Sequence, residues 1–104
     1  MPRKPSTPTR MVFQAFLDAP SDETYGFALA EATGLPSGTI YPILRRLEED
    51  GFVKSRWAEV EGGSQRRRRR YYELTGEGRR VAHAATAQQR RALRLLVPGW
   101  QGVV

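Results

Sequence analysis

The 104-residue chain contains no cysteine and only one histidine, His83. The lack of cysteine excludes disulfides, cysteine-ligated zinc and thiol catalysis, and one histidine leaves little for imidazole chemistry. No apolar run approaches the roughly 20 residues that a membrane-spanning helix needs, and residues 1–5 lack the apolar stretch of a secretory signal. We therefore expect one small, soluble, cytoplasmic domain with at most one appended element, no metal site and no membrane partner.

Motifs for enzymatic chemistry are also scarce. The two glycine-containing stretches, at 62–63 and 76–78, are too short to cradle a phosphate, and the acidic residues are scattered along the chain. No base stands beside a nucleophile in the sequence. We therefore predict that the chain is not an enzyme and needs no cofactor.

Positive charge is present in excess and is unevenly distributed. The formal net charge is +6. Residues 1–52 hold five basic and seven acidic residues, a balance of −2, whereas residues 53–104 hold twelve and four, a balance of +8. Fifteen of the seventeen basic residues are arginine, which suits phosphate and base contacts and also suits a GC-rich genome. The asymmetry favours a polyanionic partner.

Three helices are predicted in the first half of the chain. After a Pro-rich, basic arm at 1–7, which is either a frayed terminus or an arm along a DNA groove, a helix starts at Pro8 with Thr7 as N-cap and ends at Ala19-Pro20. A second helix is predicted over 25–33, with Gly34 as its C-terminal cap. The short link to a third pattern indicates a helix-turn-helix.

The third helix, predicted over 37–50 with Ser37 as N-cap, has two distinct faces. The spacing of four apolar residues predicts one buried stripe formed by Ile40, Ile43, Leu44 and Leu47. The opposite side carries polar and basic residues, and Pro42 removes one backbone hydrogen bond in the second turn. Gly51 is expected to stop the helix.

A hairpin follows, with strands predicted over 52–57 and 68–74 and a flexible tip around Gly62-Gly63. Five consecutive arginines, 66–70, form its returning arm. Because this run enters a strand directly through Tyr71-Tyr72, we interpret it as a basic surface on a structured ribbon rather than a solvated charge run.

The last predicted element is a long helix over 76–97, N-capped by Thr75. One apolar stripe is too extended to be buried by so small a domain, so a partner chain is expected to cover it. The dimerisation residues that we predict on this stripe are Val81, Ala85, Gln88, Ala92, Leu95 and Leu96. The alternative is a helix that folds back on its own domain.

These elements carry a family resemblance. The relevant residues are Tyr25-Gly26, the run GLPSGTIYPILRRLEEDG at 34–51, the run RRYYELT at 69–75, and Gly78. With them the chain resembles the PadR family of bacterial transcriptional regulators over about residues 9–78. The Gly-Thr-Ile-Tyr-Pro sequence at 38–42 is far more specific than a generic helix-turn-helix pattern.

The resemblance implies a mainly α (α+β) winged helix-turn-helix with three N-terminal helices, a two-stranded β wing and one long C-terminal helix. Together, the sequence patterns and the resemblance predict a basic arm at 1–7, a DNA-binding domain at 8–75, a dimerisation helix at 76–97 and a tail at 98–104. The resemblance also implies a homodimer that binds a double-stranded operator and represses transcription. The wing tip departs from the Gly-Arg-Pro pattern of many members, and beyond Gly78 the sequence is not diagnostic.

The candidate residues follow from two requirements of operator binding. Phosphate contacts supply affinity and base-edge contacts supply specificity. For phosphates we predict the wing arginines and donors at the starts of two helices, namely Tyr25, Ser37, Gly38, Arg66, Arg67, Arg68 and Arg69. For the major groove we predict the exposed side of the third helix, namely Thr39, Tyr41, Pro42, Arg45 and Arg46, without assigning a base contact to Pro42.

Two other interpretations stay open. An arginine-rich ribbon could coat nucleic acid without regard to sequence, because net charge alone does not distinguish the two modes. Alternatively, the regulator could respond to a planar small molecule held by aromatic side chains, with Trp57 and Trp100 as candidates. The sequence gives no operator, target gene or effector identity.

Overall fold

The computed structural model describes residues 5–60 and 67–96, with the side chains of Val60, Arg67, Gln89, Arg90 and 92–96 left outside the description. This part of the chain forms four helices and three strands in the order α1 (Thr7–Asp18), β1 (Glu23–Tyr25), α2 (Gly26–Thr33), α3 (Ser37–Glu49), β2 (Val53–Val60), β3 (Arg67–Leu74) and α4 (Gly76–Leu96). The predicted mainly α fold with a β wing is confirmed.

Helix α1 begins one residue earlier than predicted. Ser6, not Thr7, occupies the N-cap, and its hydroxyl accepts a hydrogen bond from the backbone N–H of Thr9. Because Ser6 satisfies an amide of the first turn, Thr7 is free to enter the helix. Arg10 also donates to the carbonyl of Pro5 at 2.7 Å, so the end of the expected arm is held against α1.

Helices α2 and α3 form the predicted helix-turn-helix. Gly34 ends α2 in the left-handed region, at φ 73°, and its N–H donates to the carbonyl of Ala30. This conformation suits glycine, which has no Cβ to clash. The expected N-cap of α3 was wrong by one residue, because Pro36 occupies that position without a side-chain cap and Ser37 is already helical.

The sheet contains one strand more than the sequence predicted. Its order is β1–β3–β2, and both pairings are antiparallel. Strands β2 and β3 are the expected wing, whereas β1 pairs with β3 through Glu23 opposite Glu73 and Tyr25 opposite Tyr71. The wing is thereby attached to the residues that lead directly into α2.

Helix α4 begins at the root of the wing. The hydroxyl of Thr75 accepts from the N–H of Gly78 at 3.0 Å and donates to the carbonyl of Gly51 at 2.7 Å, so the predicted N-cap is confirmed. A Cβ built on Gly78 would lie 1.8 Å from the carbonyl oxygen of Phe52. Only glycine allows the two backbones to approach so closely.

The first half of α4 packs inside the subunit. Ala82, Ala85 and Thr86 are buried, and α4 lies against α1. Ala85 therefore belongs to the chain's own core, which corrects its assignment to a dimer surface, and Val81 is half-buried against the same core. Ala87, Gln88 and Arg91 are exposed, and Ala92, Leu95 and Leu96 lie outside the described side chains.

One apolar core holds these elements together. Val12, Phe13 and Phe16 of α1 pack with Leu29 of α2, with three residues of α3, and with Val53, Tyr72 and Leu74 of the sheet. Burial of this set supplies the main stabilising force for so small a domain. No helix among residues 5–60 and 67–96 has the length and hydropathy to cross a membrane.

Candidate nucleic-acid interface

Helix α3 presents one side to the core and the other to solvent. Ile40, Leu44 and Leu47 are buried, and Ile43 is half-buried at the edge of the core. The predicted apolar stripe is therefore confirmed. The outward side carries exposed Ser37, Gly38, Tyr41, Pro42, Arg45 and Arg46, with Thr39 half-exposed. Arg45 and Arg46 make no ion pair with any residue that the structure describes.

Tyr41 lies against the first residue of α2. A Cβ on Gly26 would be 2.7 Å from Cε1 of Tyr41, so the ring packs directly on the backbone there. Gly26 is buried, whereas Phe27 beside it is exposed. Because Gly26 has no side chain, α3 can approach α2 closely at this point. The rings of Tyr41 and Phe27 both remain exposed at the surface.

The wing arginines lie on alternate faces of β3, as the two-residue period of a strand requires. Arg68 and Arg70 share the face of buried Tyr72, and both guanidinium groups lie near the ring of Trp57, at 5.1 and 5.4 Å from its centroid. On the other face, Arg69 lies 4.3 Å from the centroid of Tyr25. These cation–π contacts order long side chains without removing their charge.

The face of the sheet that carries Arg69 and Tyr71 is called the outer face. There an ion pair ties β1 to β2. The guanidinium of Arg56 donates to both carboxylate oxygens of Glu23, at 2.5 and 2.7 Å. The hydrogen bond from Arg56 lowers the pKa of Glu23, and the same bond raises the pKa of Arg56. Tyr71 contacts Arg56 and lies edge-on to Tyr25, so charged and aromatic groups alternate across this face.

The opposite face, which carries Arg70 and Tyr72, is called the inner face. There a polar network joins α3 to the wing. Ser55 donates to Glu48 at 2.6 Å, and Arg70 donates to both Ser55 and Glu48. Tyr72 lies beneath Arg70. Burial raises the pKa of the Tyr72 phenol, although the charge of Arg70 opposes this. The phenol therefore stays neutral at physiological pH.

A cleft with a volume of about 720 Å³ lies between α3, the start of α2 and the wing. Its wall is called the concave surface below. Four of its lining residues are arginines, at 45, 68, 69 and 70, and one, Glu48, is acidic. The remaining lining residues are Gly26 and the aromatic residues Tyr25, Phe27, Tyr41, Trp57 and Tyr72. Guanidinium groups can bind phosphates and base edges. No described residues group three or more His, Asp or Glu side chains as metal ligands.

The structure brings together part of the predicted site. Tyr25, Tyr41, Arg45, Arg68 and Arg69 line the concave surface. Five further predicted residues lie elsewhere on the outward side of α3, namely Ser37, Gly38, Thr39, Pro42 and Arg46. Arg66 and the side chain of Arg67 lie outside the description, as does Trp100.

Sequence reasoning missed Phe27 and Glu48 as contributors to this surface, and it placed Arg70 in the basic run of the wing without separating it from Arg68 and Arg69. Phe27 was assigned only to the body of the second helix, and it is the most exposed large apolar residue in the described part of the chain. Successive side chains of a strand point to opposite faces, so Arg70 is expected on the same face as the core residues Tyr72 and Leu74. This pattern could have distinguished Arg70 from Arg69 in the sequence. No local pattern predicted that Glu48 would meet Arg70.

A helix-turn-helix with a basic two-stranded wing beside it defines a winged helix protein with a DNA-binding fold. A model of the transcriptional regulator PadR-like family matches residues 21–84, which is well over half of the chain. The chain therefore belongs to the PadR-like family. The resemblance inferred from the sequence is confirmed, and the family to which the chain belongs is one of transcriptional regulators.

Individual relatives agree with this assignment. Over 56 residues the chain is 46% identical to the transcriptional regulator Rv3488 of Mycobacterium tuberculosis (strain ATCC 25618 / H37Rv), a match that covers 54% of this chain and 45% of that protein. The matched segment thus spans less than half of that relative's length.

Two solved structures are similar in fold. A PadR family transcription regulator from hypervirulent Clostridium difficile R20291 has a TM-score of 0.71 at 22% identity, covering 88% of this chain and 95% of that chain. BpsR of Bordetella bronchiseptica, whose DNA binding is regulated by 6-hydroxynicotinic acid, has a TM-score of 0.73 at 17% identity, covering 97% and 72%. At these identities the likeness shows the fold alone.

Proposed function

We propose that the chain is a homodimeric repressor that acts in the cytoplasm and binds a pseudo-palindromic operator through α3 and the wing. The observation that carries this proposal is the convergence of Arg45 on α3 with Arg68 and Arg69 of the wing on one concave surface. Helix and wing can then contact the same duplex. The family assignment supports transcriptional regulation as the outcome.

The two parts of this surface have separate roles. Arg45 projects from the outward side of α3, where a guanidinium can bind a guanine edge through two hydrogen bonds. Arg68 and Arg69 are exposed on the wing and held over aromatic rings, which suits contacts with phosphates. We therefore assign base reading to α3, and the wing contributes mainly to affinity.

Dimerisation is proposed through the second half of α4. The chain's own core covers α4 at Ala82, Ala85 and Thr86, whereas Ala87, Gln88 and Arg91 are exposed. The helix continues to Leu96, about 15 Å beyond Thr86 at 1.5 Å per residue. A two-fold dimer would place two copies of α3 in successive major grooves, roughly 34 Å apart.

A small-molecule effector remains a prediction. Trp57 is 52% exposed and lies beside Arg68 and Arg70, so it faces the proposed DNA surface instead of a closed ligand pocket. Its suggested partner, Trp100, lies outside the described residues. A saturable change in tryptophan fluorescence during a small-molecule screen would support this second role.

The decisive experiment is genome-wide binding of the tagged protein followed by footprinting of the recovered site. We expect two symmetric half-sites one helical turn apart. An asymmetric single half-site, or equal affinity for unrelated DNA at physiological salt, would contradict the proposal and favour coating without sequence preference.

Two variants test the division of roles. Arg45→Ala is expected to weaken operator binding by about 1–3 kcal/mol while changing binding to unrelated DNA little. The Arg68→Ala/Arg69→Ala double variant is expected to weaken binding to every sequence and to flatten the salt dependence by about 0.9 for each phosphate that is no longer neutralised. Arg80→Ala, on α4, is the control for removal of one surface charge. An unchanged salt slope in the wing variant would place Arg68 and Arg69 away from the phosphates.

A further inference from the structure

Arg70 differs from the two arginines that precede it. Arg68 and Arg69 are exposed, whereas 37% of the Arg70 side chain is accessible and its guanidinium is engaged inside the subunit. It donates through Nε and Nη2 to the hydroxyl of Ser55, at 3.1 and 2.8 Å, and through Nη2 to Oε1 of Glu48 at 3.2 Å. Arg70 therefore has hydrogen-bonding partners before any DNA is present.

Glu48 is unusual for its position. It lies one turn beyond Arg45 on α3 and is the acidic member of a surface otherwise lined by arginines, glycine and aromatic residues. A carboxylate there would repel phosphates unless its charge were balanced. The pairing with Arg70, together with the hydrogen bond from Ser55, supplies that balance.

The pair contributes more to geometry than to stability. Both side chains remain about one-third accessible, at 37% for Arg70 and 34% for Glu48, and ion pairs so exposed stabilise a fold only slightly. Glu48 belongs to α3, Ser55 to β2 and Arg70 to β3, so the same contacts hold the wing at one angle to the helix. A single carboxylate thus contacts both strands of the wing and occupies one of its cations.

We propose that Glu48 is a specificity-determining positioning residue, which holds the wing against α3 through Ser55 and Arg70 and keeps Arg70 off the DNA phosphates. The proposal rests on the proposed function. Without Glu48, Arg70 becomes available to any phosphate, so binding to unrelated DNA strengthens. The operator gains less, because its contacts depend on a defined angle between helix and wing. Discrimination between the two DNAs therefore falls.

The test is Glu48→Gln, which keeps an oxygen for Ser55 and removes the charge that pairs with Arg70. Binding to the operator and to an unrelated duplex of equal length is measured between about 50 and 200 mM salt. Each additional phosphate that is neutralised steepens the salt slope by about 0.9, equivalent to an additional loss of affinity of about 3.5-fold over that range. The ratio of operator to unrelated affinity is expected to fall.

Glu49→Gln is the matched control, since Glu49 is exposed, adjacent in sequence and carries the same charge without contacting Arg70. Equal effects of the two variants would mean general electrostatics and would overturn the proposal. In protein that already carries Arg70→Gln, adding Glu48→Gln should no longer steepen the salt slope of DNA binding. A salt slope that still steepens would also overturn the proposal. Should Glu48→Gln unfold, Arg70→Lys tests the same restraint, because lysine cannot form the same set of hydrogen bonds.

The outcomes separate this proposal from the one on which it rests. If the unaltered protein does not prefer its recovered site over unrelated DNA, the operator-binding function fails. If it does and Glu48→Gln leaves both the preference and the salt slope unchanged, only the role of Glu48 fails.

Discussion

Helix α3 and the wing contribute to one surface but are held in place by different forces. The helix is anchored by three buried apolar residues, Ile40, Leu44 and Leu47. In the wing, Val53, Tyr72 and Leu74 at the root are also buried, whereas farther along the same face Ser55, Trp57 and Arg70 remain partly or largely exposed. Apolar burial is not weakened by ionic screening, whereas exposed ion pairs are. Salt should therefore weaken the attachment of the outer part of the wing more than that of the helix.

The largest expected difference between the two regions is in stability. Leu44 is fully buried, so Leu44→Ala should lower the free energy of unfolding by about 2–5 kcal/mol. Trp57→Ala in the wing removes a larger side chain, yet one that is 52% exposed, and should cost about 1 kcal/mol or less. Urea unfolding of both variants measures this. Equal costs would show that the wing is as deeply anchored as the helix.

A smaller effect is expected at the root of the wing, where α4 passes Phe52. Gly78→Ala places a methyl group 1.8 Å from a backbone carbonyl oxygen, so the backbone must shift. We expect destabilisation by about 1–3 kcal/mol despite alanine's higher helix propensity. Gly76→Ala is the control, since nothing lies within 4 Å of its added carbon, and its thermal midpoint should stay the same or rise slightly. If the two variants melted alike, the close approach at Gly78 would be refuted.

The smallest expected effect is on the pH dependence of stability, through the ion pair of Glu23 with Arg56 on the outer face. The pKa of Glu23 is lowered by its hydrogen bond with Arg56 in the folded protein. Its contribution is therefore present above the unfolded pKa and is lost as pH falls through the folded value. Glu23→Gln should be slightly less stable than the unaltered protein at neutral pH and equal to it well below the ordinary glutamate range. Thermal unfolding across acidic pH measures this, and a constant difference at all pH values would argue against the ion pair.

Local sequence patterns predicted the helices of this fold well. The spacing of Ile40, Leu44 and Leu47 marks the buried side of α3, and Gly34 and Thr75 mark helix ends by their own backbone or hydroxyl chemistry. These signals act over a few residues and need no distant partner. They also correctly placed Arg45 on the outward side, where the structure finds it exposed.

Features that depend on distant partners escaped prediction. Strand β1 has only three residues and exists because β3 lies beside it, so no local period could mark it. The contact of Glu48 with Arg70 joins residues 22 positions apart. The apolar stripe of α4 was visible, but periodicity cannot tell whether α1 or another subunit covers it, and for Ala85 the answer is the chain's own core.

The two-residue repeat of β3 has a consequence for comparing related regulators. If β3 paired with β2 one residue out of register, the chain would have the same charge and isoelectric point, yet Arg68, Arg69 and Arg70 would each lie on the opposite side of the ribbon. Arg70 would leave the side that faces Glu48, and Arg69 or Tyr71 would take its place opposite Trp57. The register of β3 against β2, and not the number of arginines, should therefore be matched when wings are aligned or grafted.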